Sequence, residues 1–229
     1  MKTKDHFFKA VCTLAIPVAL QSMLQSSFSM VDQIMIGQLG EINVAGVGLA
    51  GKFASIYSVV ISAIGAVAGI MIAQYLGQKN RSEVRRSFFT NLLLGAGIAG
   101  MFMVICTLFP NQIMGAYTRD VQTRQAAAEY LMLISGTFVP MAGATLLSTL
   151  FRCLEKPRLP LYASILSALL NTGLNYIMIF GKLGISPMGV RGAAFATVIS
   201  QCANFLLMLL MLSKNGFLLK SNEREPTAT

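Results

Sequence analysis

The sequence predicts an all-α integral membrane protein, a bundle of six transmembrane helices with both termini in the cytoplasm. Three observations predict it. Only 12% of the 229 residues are charged and 55% are hydrophobic, against about 25% and about 45–50% in soluble domains, which leaves too little polar surface to coat a water-soluble globule. Six apolar runs reach the roughly 20 residues that a helix needs to cross the hydrocarbon core. The basic residues alternate between connections in the way that membrane topology demands.

The runs lie at about 10–39, 44–76, 87–109, 123–151, 159–180 and 192–212, and apolar stretches of this length read as spans. They make one lobe over 1–213, followed by a polar cytoplasmic tail at 214–229. The first run starts behind Lys9 and is too long for a signal peptide, which would end in a cleavage site. Pro17 in the first run and Pro140 in the fourth remove a backbone hydrogen bond each and predict kinks. On the second run Ser55, Ser58, Ser62, Gly65 and Gly69 share a face, and Gly95, Gly97 and Gly100 thin the third. Small residues of this kind let helix backbones approach closely. The loops are short, so consecutive helices are expected to be antiparallel neighbours.

Thirteen of the 18 Lys and Arg residues fall at the N-terminus (Lys2, Lys4, Lys9), in the second loop (Lys79, Arg81, Arg85, Arg86), in the fourth (Arg152, Lys156, Arg158) and in the tail (Lys214, Lys220, Arg224). Only Arg119, Arg124, Lys182 and Arg191 lie on the other side, so the richer side is cytoplasmic. The same dispersal argues against a nucleic-acid partner despite the net charge of +9, because no single face gathers the cations. Cys12, Cys106, Cys153 and Cys202 are scattered, which excludes a zinc site and makes a disulfide framework unexpected. The single His, at position 6, lies ahead of the first run. An intramembrane serine protease needs its His within a span. HExxH and a P-loop are absent, as are a TVGYG-like filter and paired NPA half-helices, so neither an enzyme, an ATP-driven pump nor a channel is expected, and no cofactor.

Polar side chains inside spans must face protein or a wet cavity. Gln21, Gln25, Ser29 and Asp32 step by 4, 4 and 3 along the first run. Ser164, Ser167, Asn171 and Asn175 step by 3, 4 and 4 along the fifth, and Thr197, Gln201 and Asn204 by 4 and 3 along the sixth. Each set is one helical face. Together they read either as a cavity wall or as interhelical glue, the latter worth about 0.6 kcal/mol per pair. Asp32 is the most demanding, since an intramembrane Asp costs about 2.5–3.5 kcal/mol on insertion scales. It predicts a bound cation or proton, unless it caps the outer end of the helix at the interface. Lys52 either snorkels outward or faces the cavity as a counter-charge for Asp32. Glu129 is expected at the interface.

Residues 14–51, LAIPVALQSMLQSSFSMVDQIMIGQLGEINVAGVGLAG, have a Pro and, fifteen residues later, an Asp inside VDxxMIG. They resemble the first helix and following loop of the multidrug and toxic compound extrusion (MATE) antiporters. AQYLGQKN (73–80) resembles the end of that family's second helix, FRCLEKPRLPLYASILSALLNTGLNYIMIFG (151–181) its basic loop and fifth helix, and GVRGAAFATVISQ (189–201) the start of its sixth. The resemblance implies one six-helix lobe of a protein that normally has two, related by a pseudo-twofold axis. Such a protein exports small organic, often cationic, compounds across the plasma (inner) membrane, driven by inward H⁺ or Na⁺. Asp32 matches the family's essential first-helix carboxylate, Asn171 an amide beside it, and Asn175 the position one turn later. Tyr130 matches a fourth-helix tyrosine of the same pocket and Thr197 a sixth-helix hydroxyl. Gln21, Gln25, Ser29, Lys52, Gln201 and Asn204 are the expected substrate-cavity residues.

Asn175 stands where the archaeal-type site has a second Asp. A single carboxylate puts Na⁺ coordination in doubt and is sufficient for protons. The second lobe is not encoded in this sequence. The chain is therefore expected to pair with another six-helix lobe, a copy of itself or a different one, or else to be a non-functional truncated piece. A flippase for lipid-linked sugars, from the same superfamily, is the alternative reading, although such proteins present more cavity cations than Lys52 alone.

Overall fold

The computed structural model describes residues 2–184 and 186–214, with side chains from Ala15 onward. The expected polar tail, beyond Lys214, lies outside the described residues. Helices α1 (Lys2–Gly37), α2 (Glu41–Gly77), α3 (Arg81–Leu108), α4 (Pro110–Gly115), α5 (Val121–Ile134), α6 (Phe138–Cys153), α7 (Arg158–Phe180) and α8 (Gly189–Lys214) follow in order. Among the described residues five helical runs are long and apolar enough to cross a membrane: α2, α3, α5 through α6, α7 and α8. The α1 helix, at 36 residues, is about 54 Å long, and its first side chains fall outside the described residues.

The helices outrun the apolar stretches that announced them, because caps rather than apolarity set their ends. The third begins at Arg81, inside the basic loop, where the Asn80 side chain accepts a hydrogen bond from the Glu83 backbone N–H. The short α4 was not expected; it starts at Pro110, at the first helical position, where a missing N–H costs nothing. The α1 helix runs through Pro17 without a break.

The fourth run does break at its proline. A 3₁₀ turn over Ser135–Thr137 separates α5 from α6, as Pro140 has no N–H to offer the carbonyl of Gly136. Side chains satisfy the carbonyls around the break. Ser135 Oγ donates to the Met132 carbonyl and Thr137 Oγ1 to that of Ile134, each at 2.7 Å. The buried Tyr57 hydroxyl reaches over from α2 and donates to the Phe138 carbonyl at 2.5 Å. The Tyr57 and Phe138 rings stack at 4.3 Å between centroids.

This broken span is the hub of the bundle. In its most apolar stretch 61% of residues are buried, against 22–28% in the other four spans. Tyr57, Ile61, Leu131 and Phe138 form one part of the core, and Phe88, Leu147, Leu150 and Phe151 another. Glycines make the closest approaches. Gly65 and Gly69 face Thr145 and Thr149 of α6, and a Cβ on Gly69 would stand 3.0 Å from Thr149 Cγ2. The third helix departs from expectation. Gly95 packs against Leu146, whereas Gly97 and Gly100 have nothing within 4 Å of where a Cβ would be. Those two therefore thin an outward face of α3 and not a helix contact within the lobe.

Candidate functional site

The α1 helix leans chiefly on α7, and Asp32 lies at that contact. Its half-buried carboxylate accepts a hydrogen bond from Asn175 Nδ2 on α7. The helix continues past Asp32 to Gly37, so the carboxylate reaches across to a neighbour and does not cap the end of its own helix. Asn175 is fully buried. Its Nδ2 also donates to Asn171 Oδ1 at 3.3 Å, one turn away on the same face, and Asn171 Nδ2 reaches Thr197 Oγ1 on α8 at 3.5 Å. Buried Tyr130, on α5, directs its hydroxyl at Thr197. The five residues matched to the family's coupling pocket thus form one network across four helices.

The direct partner of Asp32 is Asn175, whereas the resemblance placed the Asn171 amide beside it. Either amide has the chemistry to pair with Asp32, and the packing of α1 on α7 presents Asn175. An amide N–H donates to a carboxylate, and a hydrogen bond to an ionised acceptor is about twice as strong as a neutral one. A second ionised carboxylate at 175 would offer only acceptors. Among the described residues the buried Asn175 Oδ1 oxygen has no hydrogen-bond partner, which leaves an acceptor directly beside the carboxylate.

The expected cavity residues divide. Gln25 and Ser29 are exposed and, with Ser26, Met30 and Gln33, line a shallow open groove on the surface of α1 alone. Gln21 is buried instead. Its Nε2 donates to Ser164 Oγ at 2.9 Å and its Oε1 accepts from Arg152 Nη2 at 3.3 Å, so it ties α1 to α7 and α6. Lys52 is exposed on α2 and is not brought to Asp32. Gln201 is half-buried and Asn204 buried, and neither borders the groove. The α8 stripe turns toward α7, where Ser167 Oγ donates to the Ser200 carbonyl at 2.7 Å. None of these four residues lines the groove.

Ser26 and Gln33 were missed. They continue the polar surface of α1 sideways from the Gln21–Asp32 face, which steps of three and four residues do not follow. The pairing of Glu129 with Arg191, an ion pair joining α5 to α8, was also missed, since nothing local links residues so far apart in sequence.

Comparison with known proteins fits this architecture. The MatE family profile matches residues 17–177. The probable multidrug resistance protein NorM of Thermotoga maritima is 31% identical over 201 residues, covering 84% of this chain and 42% of its own length. A protein of the same description from Streptococcus pneumoniae is 25% identical over 215 residues, covering 93% and 48%. A solved MOP superfamily transporter from Pyrococcus furiosus superposes with a TM-score of 0.82 at 21% identity, over 89% of this chain and 44% of that one. The structure of MATE in complex with MaL6 gives 0.84 at 20%, over 91% and 46%. The chain spans less than half the length of these relatives, and its fold is that of half of each solved structure. Having matched over most of its length, from Pro17 to Ile177, the chain belongs to the MatE family.

Proposed function

We propose that this chain is one lobe of a cation-coupled exporter of small organic compounds, with Asp32 as the ion-carrying group. One observation carries the reading: the lone carboxylate among the uncharged side chains of α1 from Ala10 to Gly37 is held by an amide of α7, a short way round α1 from an open polar groove. The ionised Asp32 keeps α1 on α7 through Asn175. Uptake of an ion at the carboxylate removes the charge that holds the Asn175 amide, and α1 can then move on α7. Asn171, Thr197 and Tyr130 extend the rearrangement to α8 and α5. Gln25, Ser26, Ser29 and Gln33 offer hydrogen bonds without fixed charge, and the nearby carboxylate draws cationic compounds.

H⁺ is the favoured ion, because the site has one carboxylate and not two. One charge moving through 100 mV supplies about 2.3 kcal/mol, enough for a roughly fifty-fold substrate gradient. The α1 helix is the sixth span, and the alternation of Lys and Arg along the sequence supports cytoplasmic placement of both termini. A second six-helix lobe closes the cavity in the inner membrane. The names of the relatives, probable multidrug resistance proteins, support drug-like substrates.

The test is ethidium export from liposomes holding this chain together with a second lobe. Export is expected to follow an imposed proton gradient and to stop in Asp32→Asn. Export by Asp32→Asn at the parent rate would refute the role of the carboxylate, and export that follows Na⁺ but not pH would refute proton coupling.

A further inference from the structure

The connection from α2 to α3 carries Lys79, Arg81, Arg85 and Arg86 against Glu83 alone, and that from α6 to α7 carries three cations against Glu155. Both close over one part of the core, to which Leu76, Val84, Phe151 and Leu154 belong, so the cations share one end of the bundle. Glu83 is already engaged by Arg86, at 3.9 Å. Among the described residues no carboxylate pairs with Arg85; its guanidinium lies 5.8 Å from the centre of the Phe89 ring.

Below these arginines α3 is the most outward of the five candidate spans, with 22% of its apolar stretch buried. Arg86, Phe89, Leu93, Gly97, Gly100 and Val104 fall on one side of it. Phe89 is 41% exposed, Leu93 77% and Val104 55%. Between the last two, Gly97 and Gly100 leave a step with no side chain and open space beyond it. The step begins about 16 Å below Arg86 by helix rise, close to the midplane of a hydrocarbon core roughly 30 Å thick.

We propose that this outer face of α3 binds an anionic phospholipid of the cytoplasmic leaflet. Arg85 and Arg86 hold the phosphate, and an acyl chain lies along Phe89 and Leu93 to the Gly97–Gly100 step. The dimensions are those of a single leaflet, and the charge is complementary to an anionic headgroup. A second copy of the chain is disfavoured on the same face, because a twofold contact would set these arginines against themselves. The site rests on the cytoplasmic sidedness proposed above and is independent of export.

The purified, delipidated chain, offered equal amounts of phosphatidylglycerol and phosphatidylcholine, is examined by native mass spectrometry. Phosphatidylglycerol is expected to be retained about thirty-fold better, the effect of two cations near an anionic surface. That preference is expected to vanish in R85Q/R86Q, to persist in R85K/R86K and to fall as salt rises. Gly97→Leu, which fills the step without altering charge, is expected to weaken binding of both lipids. Equal retention of the two lipids by the parent, an undiminished preference in R85Q/R86Q, or displacement of the lipid by millimolar inorganic phosphate would overturn the site. So would a self-association that the lipid fails to compete away. None of these results bears on whether Asp32 couples export.

Discussion

Gly192→Ala tests how α7 and α8 are held together beside the Asp32 network. A Cβ on Gly192 would stand 2.7 Å from the carbonyl carbon and oxygen of Met178 and 3.1 Å from the Ile179 nitrogen. These are backbone atoms of α7, so no rotamer change relieves the clash. The helices would have to part by about 0.7 Å, the difference between 2.7 Å and the 3.4 Å at which ordinary contact begins. The hydrogen bond from Asn171 to Thr197, already 3.5 Å long, does not survive such a shift. Overpacking of this kind costs about 1–3 kcal/mol, partly offset by the roughly 0.5–1 kcal/mol that Ala gains over Gly within a helix. Gly97→Ala has the same helical gain with nothing to strike, and is expected to stabilise by about 0.5–1 kcal/mol. The two variants should therefore move in opposite directions in thermal unfolding followed by size exclusion in one detergent, by about 2–4 °C per kcal/mol. A Gly192→Ala lobe that melts at or above the parent, or a Gly97→Ala lobe that falls as far, would refute the reasoning.

Two further outcomes follow from the same contacts. Tyr57→Phe keeps the ring stack on Phe138 and removes one buried hydrogen bond to its carbonyl beside the helix break, at a cost of about 0.5–1.5 kcal/mol; an unchanged unfolding midpoint would mean that the hydroxyl does not hold the break. Asn175→Asp places a second carboxylate against Asp32, and like charges at that separation favour a bound cation. Added Na⁺ is thus expected to raise the unfolding temperature of the variant and not that of the parent, and equal stabilisation of both would sink the preference for protons.

Much of the fold was legible because membrane insertion writes itself into composition. A segment that spends its length in hydrocarbon must be apolar and helical, so the second to sixth runs could be located before any packing was known. The break near Pro140 was legible for a similarly local reason, the missing N–H. The helix ends and α4 were less so, as they depend on single caps such as Asn80 and Pro110.

The candidate site was legible only in part. Spacing by threes and fours put Asn171 with Asn175, and Gln21 with Asp32, on common faces, and family resemblance singled out the five residues that the structure links. Periodicity describes a side chain's direction about its own helix axis and says nothing of which neighbour stands there. The rotation of each helix is decided by contacts far apart in sequence. Gly192 against the Met178 backbone and Tyr57 over the break are two of them. Hence Gln21 becomes a tie between three helices, Lys52 stays exposed, Ser26 and Gln33 enter the groove, and Gly97 opens outward while Gly95 packs. The sequence by itself determined that the chain is a membrane-embedded helical lobe with an acid in its first span; which residues meet that acid, and which face lipid, was decided by tertiary packing, because burial belongs to pairs of helices and not to one.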